Sequence, residues 1–184
     1  MGLQKLKAII TAAGRGTRFN SNNPKCTVKI NNKRLILHQV EVLSKLGINE
    51  IFVTVGFKAE IIKKILGDRV TYIDNPDYMT TNSSYSLWLS RKVIDGEFIY
   101  LNGDLFFEEK VIELLLASQE KNGFCVDYVN TKSKDMFKFV TKNNQIVSIN
   151  KDLSIKRAEG VAPGPVKISK ESRDILFRIL DKHV

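Results

Sequence analysis

Two glycines flank an arginine in the segment Ala12-Ala13-Gly14-Arg15-Gly16-Thr17-Arg18-Phe19, and Asn23-Pro24-Lys25 follows closely. The apolar run Lys7-Ala8-Ile9-Ile10-Thr11 leads directly into it. A buried strand that stops at such a loop brings backbone towards something negatively charged. Glycine tolerates positive φ and has no Cβ to hold a ligand away, so consecutive amide N–H groups can point at phosphate oxygens. Arg15, Arg18 and Lys25 add fixed positive charge to the same concavity. A nucleoside triphosphate is the simplest ligand for this chemistry. A plain strand-to-helix connection uses the same residue types.

Two common phosphate-binding loops do not match. The P-loop requires a Gly-Lys-Ser/Thr step that occurs nowhere in the chain. The dinucleotide fingerprint requires a third small residue where Phe19 stands, and an acid about 20 residues on at a strand end. Glu41 is near that distance but falls within a helical pattern.

Charge concentrates where the loop is. The chain carries 29 basic and 20 acidic side chains, a net +9; eight of the basic ones and no acid fall in the first forty residues. The remainder is close to neutral. Local basicity of this kind suits a polyphosphate site. Nucleic acid is the competing partner, but no recognition helix, RNP-type or zinc motif accompanies the charge, so none is expected.

At 184 residues and 43% apolar, the chain can bury one good core and reads as a single domain over 1–184. No stretch of about 18 apolar residues is present, so no membrane span is expected. The N-terminus lacks the apolar region of a signal peptide, and Cys26 and Cys125 have no C-x-x-C partners. They read as free thiols, and the expected location is cytoplasmic. His38 reads as a helix-face residue and His183 as a solvated one. The oligomeric state is not legible.

Strand and helix patterns alternate through the first two thirds. Strands are expected at 6–11, 50–55, 70–73 and 98–102, and helices at 35–46, 59–66, 84–93 and 108–121, with Gly47 and Gly67 as natural C-caps. This order predicts an α/β fold, a Rossmann-like mixed and mostly parallel sheet with helices on both faces and right-handed crossovers. Residues 1–123 are expected to form the nucleotide-binding half. After Gly123 the strands at 124–129, 137–140 and 146–149 are short, with Asn143-Asn144 as a hairpin turn. Residues 124–184 are expected to extend the sheet and build an acceptor side, ending in a helix over 170–182.

In such sheets ligands lie outside the carboxyl ends of the strands. The fourth strand ends at Leu101-Asn102-Gly103-Asp104, so Asp104 should face the crevice that holds the loop. A carboxylate beside a triphosphate is repelled unless a divalent cation lies between them. One carboxylate with phosphate oxygens and waters is an ordinary Mg²⁺ site, and Asp104 is the metal-ligand candidate. A turn or helix N-cap aspartate is the other reading.

The glycine loop, Pro24-Lys25 and Leu101-Asn102-Gly103-Asp104 together resemble the nucleotidyltransferases that join a nucleoside triphosphate to a phosphorylated acceptor and release pyrophosphate. The resemblance runs through nearly the whole chain. Asn82-Ser83-Ser84-Tyr85-Ser86-Leu87 is similar to the N-N-x-Y-S-L segment of bacterial cytidylyltransferases of the LicC choline-phosphate type, with Ser83 in place of the second asparagine.

The resemblance implies CTP and a small phosphorylated acceptor as substrates, with Mg²⁺ as cofactor. The backbone of Ala12, Ala13 and Gly14 and the side chain of Ser86 would face the base. Gly16 and Arg18 would hold the β- and γ-phosphates, Lys25 would neutralise charge at the α-phosphate, and Asp104 would bind Mg²⁺. Tyr85, Lys151 and Glu159 would serve the acceptor. Glu159 with Lys167-Ile168-Ser169 resembles the family's G-E-x-x-G-I-x-K-x-S stretch, although Gly164 follows Glu159 later than the pattern requires. Tyr78, Tyr85, Trp88 and Phe107 are the aromatic residues expected near the crevice. They suit either an ammonium-bearing acceptor or packing of the helix on the sheet.

Family members also supply a second metal-binding acid near the C-terminus, where this sequence has only His183-Val184 after its last helix. The readings open at this point are a truncated chain, a substitute carboxylate (Glu159 or Asp127), or nucleotide binding without turnover.

Overall fold

A computed structural model describes residues 6–16, 22–128, 133 and 135–184. Thr17, Arg18 and Phe19 of the loop, and Val129 of an expected strand, lie outside the described residues. In chain order the elements are β1 (Lys7–Ala12), β2 (Lys29–Ile30), β3 (Lys33–Arg34), α1 (Leu35–Lys45), β4 (Glu50–Val55), α2 (Ala59–Leu66), β5 (Thr71–Asp74) and α3 (Ser83–Leu89). They continue with β6 (Phe98–Asn102), α4 (Glu109–Ala117), β7 (Gly123–Phe124), β8 (Lys138–Lys142), β9 (Gln145–Asn150), β10 (Gly160–Val161), β11 (Val166–Ile168) and α5 (Lys170–Leu180).

The main sheet has the order β5-β4-β1-β6-β11-β7. Its first four strands are parallel, and β11 runs antiparallel to both β6 and β7. The connection from β5 to β6 crosses β1, so the strand order reverses between β1 and β6. That reversal is where an open α/β sheet holds its ligand.

Strand period explains the two layers. Ala8, Ile10 and Ala12 of β1, with Ile51, Val53 and Val55 of β4, face a core closed by α1, α2 and α4. The alternate residues Ile9 and Phe98 face a second core closed by Leu87 of α3 and Phe177 and Leu180 of α5. Central strands buried on both faces read as continuous apolar runs. The expected α/β sheet with helices on both faces is therefore the observed one.

The later elements depart from expectation in detail. The helix expected to reach Lys121 ends at Ala117, because Ser118 turns extended and its carbonyl accepts from the buried Lys167 ammonium at 2.8 Å. The strand expected over 124–129 forms only at β7. Beyond it the chain leaves the main sheet, and Asp127 bridges Val161 of the three-stranded sheet β10-β8-β9. A Cβ on Gly160 would lie 2.2 Å from the Asp127 carbonyl oxygen, so the crossing requires glycine. Asn143 and Asn144, at φ +53° and +61°, turn the β8–β9 hairpin as expected. Asn31 and Asn32, at +49° and +64°, turn a second hairpin, β2–β3, that the sequence pattern did not announce. Among the described residues, no helix is long and apolar enough to cross a membrane.

Candidate active site

β1 delivers the glycine loop to the switch point. After Ala12 the chain leaves the sheet, and the Ala13 carbonyl accepts from the Phe57 amide at 2.9 Å, which fixes the loop's base against the β4–α2 turn. The amides of Gly14, Arg15 and Gly16 have no acceptor among the described residues. Gly16 adopts φ +63°, and a Cβ there would lie 2.7 Å from Cγ of Lys25. Gly14 does not have the positive φ that the sequence reading allowed it; it faces open space, with nothing within 4 Å of a built Cβ. One glycine is needed for its backbone and a lysine stem, the other keeps a passage clear. Arg15 stacks outward over the Phe57 ring at 5.7 Å.

Lys25 begins a single 3-10 turn after Pro24, which supplies extended φ and ψ at the entry. The Thr27 hydroxyl donates to the Pro24 carbonyl at 2.7 Å, and Arg34 donates to the Thr27 carbonyl at 2.7 Å. The turn is thereby tied to the β2–β3 hairpin, and the Lys25 side chain is laid along Gly16. Its ammonium lies 3.7 Å from Oδ2 of Asp104.

Asp104 arrives from β6. Gly103 donates to the Thr11 carbonyl at 2.9 Å, and a Cβ on Gly103 would meet Ala12 Cβ at 3.0 Å. The close approach of these two strand ends places Asp104 beside the loop. Buried Gln39 of α1 clamps the same turn by donating to the carbonyls of Asn102 and Leu105, at 3.0 and 2.5 Å. From the opposite face Tyr100 donates to Oδ1 of Asn102 at 2.8 Å, and burial pushes its phenol up, holding it neutral as a donor. Asn102, which lines the crevice, is thus pinned through its side-chain oxygen.

These strand ends enclose a cavity of about 290 Å³ whose lining includes Ala12, Ala13, Gly14, Gly16, Lys25, Ser86, Asn102 and Asp104. Tyr78 and the loop also border an outer cavity of about 580 Å³. The structure brings together every described residue that the sequence reading assigned to nucleotide, charge neutralisation and metal. Arg18 lies outside the described residues.

The proposed acceptor residues stand apart. Tyr85 lies on α3 with its hydroxyl donating to Asp77 at 3.2 Å and its ring 5.3 Å from Trp88. Lys151 stacks over Phe137 at 4.8 Å, on the small sheet. Glu159 accepts from the amide and hydroxyl of Thr141 at 2.6 and 2.8 Å, and those bonds hold its carboxyl below the usual range. None of the three lines the 290 Å³ cavity. Of the remaining aromatics, Phe107 is buried under α1 beside His38, whose Nε2 meets the Phe107 carbonyl at 2.8 Å. Trp88 is tied to Asp181 of α5 at 2.6 Å, so both pack helices and only Tyr78 reaches the crevice. A groove of about 1060 Å³ between the β7–β11 edge and the small sheet is larger, but it holds neither the loop nor Asp104.

Sequence reasoning missed Gln39, Tyr100 and Asn75. Asn75 is 2% exposed, borders the cavity, and donates to the hydroxyls of Ser86 and Thr81, each at 3.2 Å. Its place just beyond β5, a polar residue at the carboxyl end of a parallel strand, was the available signal.

Comparison with known proteins agrees with this geometry. A CMP-5'-(3-aminopropyl)phosphonate synthase of Streptomyces rubellomurinus is 31% identical over 123 residues, 62% of this chain and 20% of the relative. The choline-phosphate cytidylyltransferase of Streptococcus pneumoniae is 38% identical over 100 residues, 51% of this chain and 43% of the relative. The chain thus spans less than half the length of these curated relatives. The solved structure of the pneumococcal CTP:phosphocholine cytidylyltransferase superposes with a TM-score of 0.79 at 26% identity, covering 97% of this chain and 77% of that one. The family model for the MobA-like NTP transferase domain matches residues 8–170, and with a glycine loop, a lysine and an aspartate meeting at the switch point of its sheet, the chain belongs to that family.

Proposed function

We propose that the protein transfers a cytidylyl group from CTP to a small phosphorus-oxyanion acceptor and releases pyrophosphate. The observation that carries this reading is the meeting of Gly14, Gly16, Lys25 and Asp104 around one crevice at the ends of β1 and β6. Both curated relatives described above are cytidylyl enzymes by name, and that supports CTP over other nucleotides.

An acceptor oxygen attacks the α-phosphorus of CTP, and the new P–O bond forms as the bond to the pyrophosphate oxygen breaks. The chain's own residues position and neutralise. The backbone of Ala12, Ala13 and Gly14 with the Ser86 hydroxyl orients the base, the Gly16 amide and Arg18 hold the outer phosphates, and Lys25 offsets charge at the α-phosphate.

Asp104 fits a magnesium site assembled with substrate. It is a half-exposed carboxylate facing the loop, and among the described residues no group of three or more His, Cys, Asp or Glu could hold a metal by itself. Bound Mg²⁺ would supply further neutralisation of phosphate charge.

For the acceptor, one relative's name carries an aminopropylphosphonate and the other a choline phosphate. Both join a cationic nitrogen to a phosphorus oxyanion, and an acceptor of that class is the proposal. The parts assigned to Tyr85, Lys151 and Glu159 rest on the family resemblance alone. The test is pyrophosphate release with Mg²⁺, crossing CTP, UTP, dTTP, GTP and ATP with phosphocholine, phosphoethanolamine, aminoalkylphosphonates and glucose-1-phosphate. Turnover confined to CTP and an amine-bearing acceptor is expected. Turnover with glucose-1-phosphate instead would establish a sugar-phosphate nucleotidyltransferase, and CTP binding without turnover a non-catalytic relative.

A further inference from the structure

Ser86 is 4% exposed and borders the nucleotide cavity, and the direction of its hydroxyl hydrogen is set by its neighbour. Asn75 Oδ1 accepts from the backbone amide of Asp77 at 3.0 Å. A backbone N–H can only donate, so the Asn75 amide cannot be turned round. Its Nδ2 must face the two hydroxyls it reaches, Ser86 and Thr81, each at 3.2 Å. Thr81 passes its own hydrogen to the Asp77 carbonyl at 2.7 Å. Ser86 receives a hydrogen from Asn75 and has no acceptor for its own among the described residues. The Ser86 hydrogen is therefore left for the cavity. A hydroxyl otherwise serves equally as donor or acceptor; here Asn75 occupies one lone pair and the hydrogen has no protein partner among the described residues, so donation into the cavity is the arrangement that leaves no polar hydrogen unpaired.

We propose that Asn75 is a positioning residue for nucleotide choice: it polarises Ser86 into a fixed donor that selects a pyrimidine presenting acceptors at O2 and N3, and disfavours one presenting N3–H. The inference rests on the cytidylyl reading above and deepens it. Cytosine has two adjacent acceptors on that edge, whereas uracil places a donor at N3. A site built around a committed partner discriminates strongly, because the wrong base leaves a desolvated polar group unpaired.

The test is the ratio of CTP to UTP affinity by calorimetry, on the full chain. Wild type should prefer CTP. Asn75→Asp keeps the bond from the Asp77 amide but can only accept from Ser86, which turns the serine hydrogen away from the cavity. The CTP:UTP ratio should fall roughly tenfold, the worth of about one hydrogen bond. Because both nucleotides carry the same triphosphate, the added charge cancels in the ratio. Ser86→Ala should lower the ratio by a similar factor, and adding Asn75→Asp to it should change the ratio no further. A ratio that survives Ser86→Ala overturns the inference, whatever becomes of the Asn75 variant's folding. So does an Asn75→Asp effect that persists in full without Ser86, since it would then not act through the serine. Absence of any CTP preference in wild type would instead sink the cytidylyl reading beneath it.

Discussion

Lys25 is held from three sides: its stem lies against Gly16, its turn is tied to Arg34, and its ammonium faces Asp104. A charge fixed before substrate arrives stabilises developing phosphate charge without reorganisation. Lys25→Ala should lower turnover by roughly 10²–10³, the effect of losing one preorganised stabiliser. Steady-state pyrophosphate release measures it, and a variant at full rate would remove Lys25 from the mechanism. Its neighbour Cys26 borders the same cavity yet is chemically quiet: burial pushes the thiol up to about 12. At pH 8 only roughly one thiol in ten thousand would be ionised, and the thiolate is the reactive form. Iodoacetamide should leave Cys26 unmodified in the native protein at pH 8 and label it once the chain is unfolded in denaturant. Peptide mass spectrometry reads both. Rapid native labelling would mean that the pocket wall opens. Lys25 and Asp104 were legible because charged residues next to glycine at strand ends are conspicuous. Gln39 was not, because an amide inside a helix gives no sign in sequence of which carbonyls it will clamp; Asn75 was marked only by its place beyond β5, which does not say which hydroxyls it will hold.

Among the elements, α3 carries Ser86 and is only seven residues long, too short to persist without its cap and its packing. Asn82 accepts from the amides of Ser84 and Tyr85 at 2.9 and 3.1 Å. Asn82→Ala should cost about 1 kcal/mol, lowering Tm by about 2–4 °C in a chain of this size. Thermal denaturation by circular dichroism checks it, and an unchanged Tm would show that packing alone holds the helix. In the small sheet, Glu159 ties the start of β10 to Thr141 of β8. Its folded carboxyl lies below the ordinary value, so the tether stabilises fully above about pH 4.3 and is lost as pH falls through the lower folded value. The Tm gap between wild type and Glu159→Ala should hold from pH 7 to pH 5 and close in stronger acid. A gap independent of pH would mean that the contact is not ionic. β1, β4 and β6 were readable because each is a largely apolar and mostly buried run that ends at a polar or glycine step; the edge strand β5, exposed at both ends, is not of that kind. β11 was not: it is three residues long, and its place between β6 and β7 is decided by pairing across some 65 and 40 residues of chain rather than by local pattern.

At the scale of the molecule, two cores lie on opposite faces of one sheet, and the candidate crevice opens where the strand order turns. α3 belongs to the second core through Leu87 and to the crevice through Ser86, and Trp88 joins it to Asp181 of α5. The loop belongs to the first core through Ala12, so a bound nucleotide would touch elements packed on both faces. Ligand that binds only the folded state stabilises it by about 2.7 kcal/mol at a hundred times Kd, which corresponds to a rise in Tm of about 5–10 °C for a chain of this length. CTP with Mg²⁺ should produce that rise and UTP a smaller one. Duplex DNA at 150 mM salt should produce none, because the basic excess is confined to the loop segment and lacks a groove-reading element. We further expect residues 1–184 to melt as one cooperative unit, since the β8–β10 sheet is joined to the main sheet through Asp127, Gly160 and the antiparallel strand β11. Differential scanning calorimetry would then show one transition that moves as a whole with CTP. Two transitions, of which CTP moves only one, would place a domain boundary near β7 and assign the nucleotide to the half whose transition shifts.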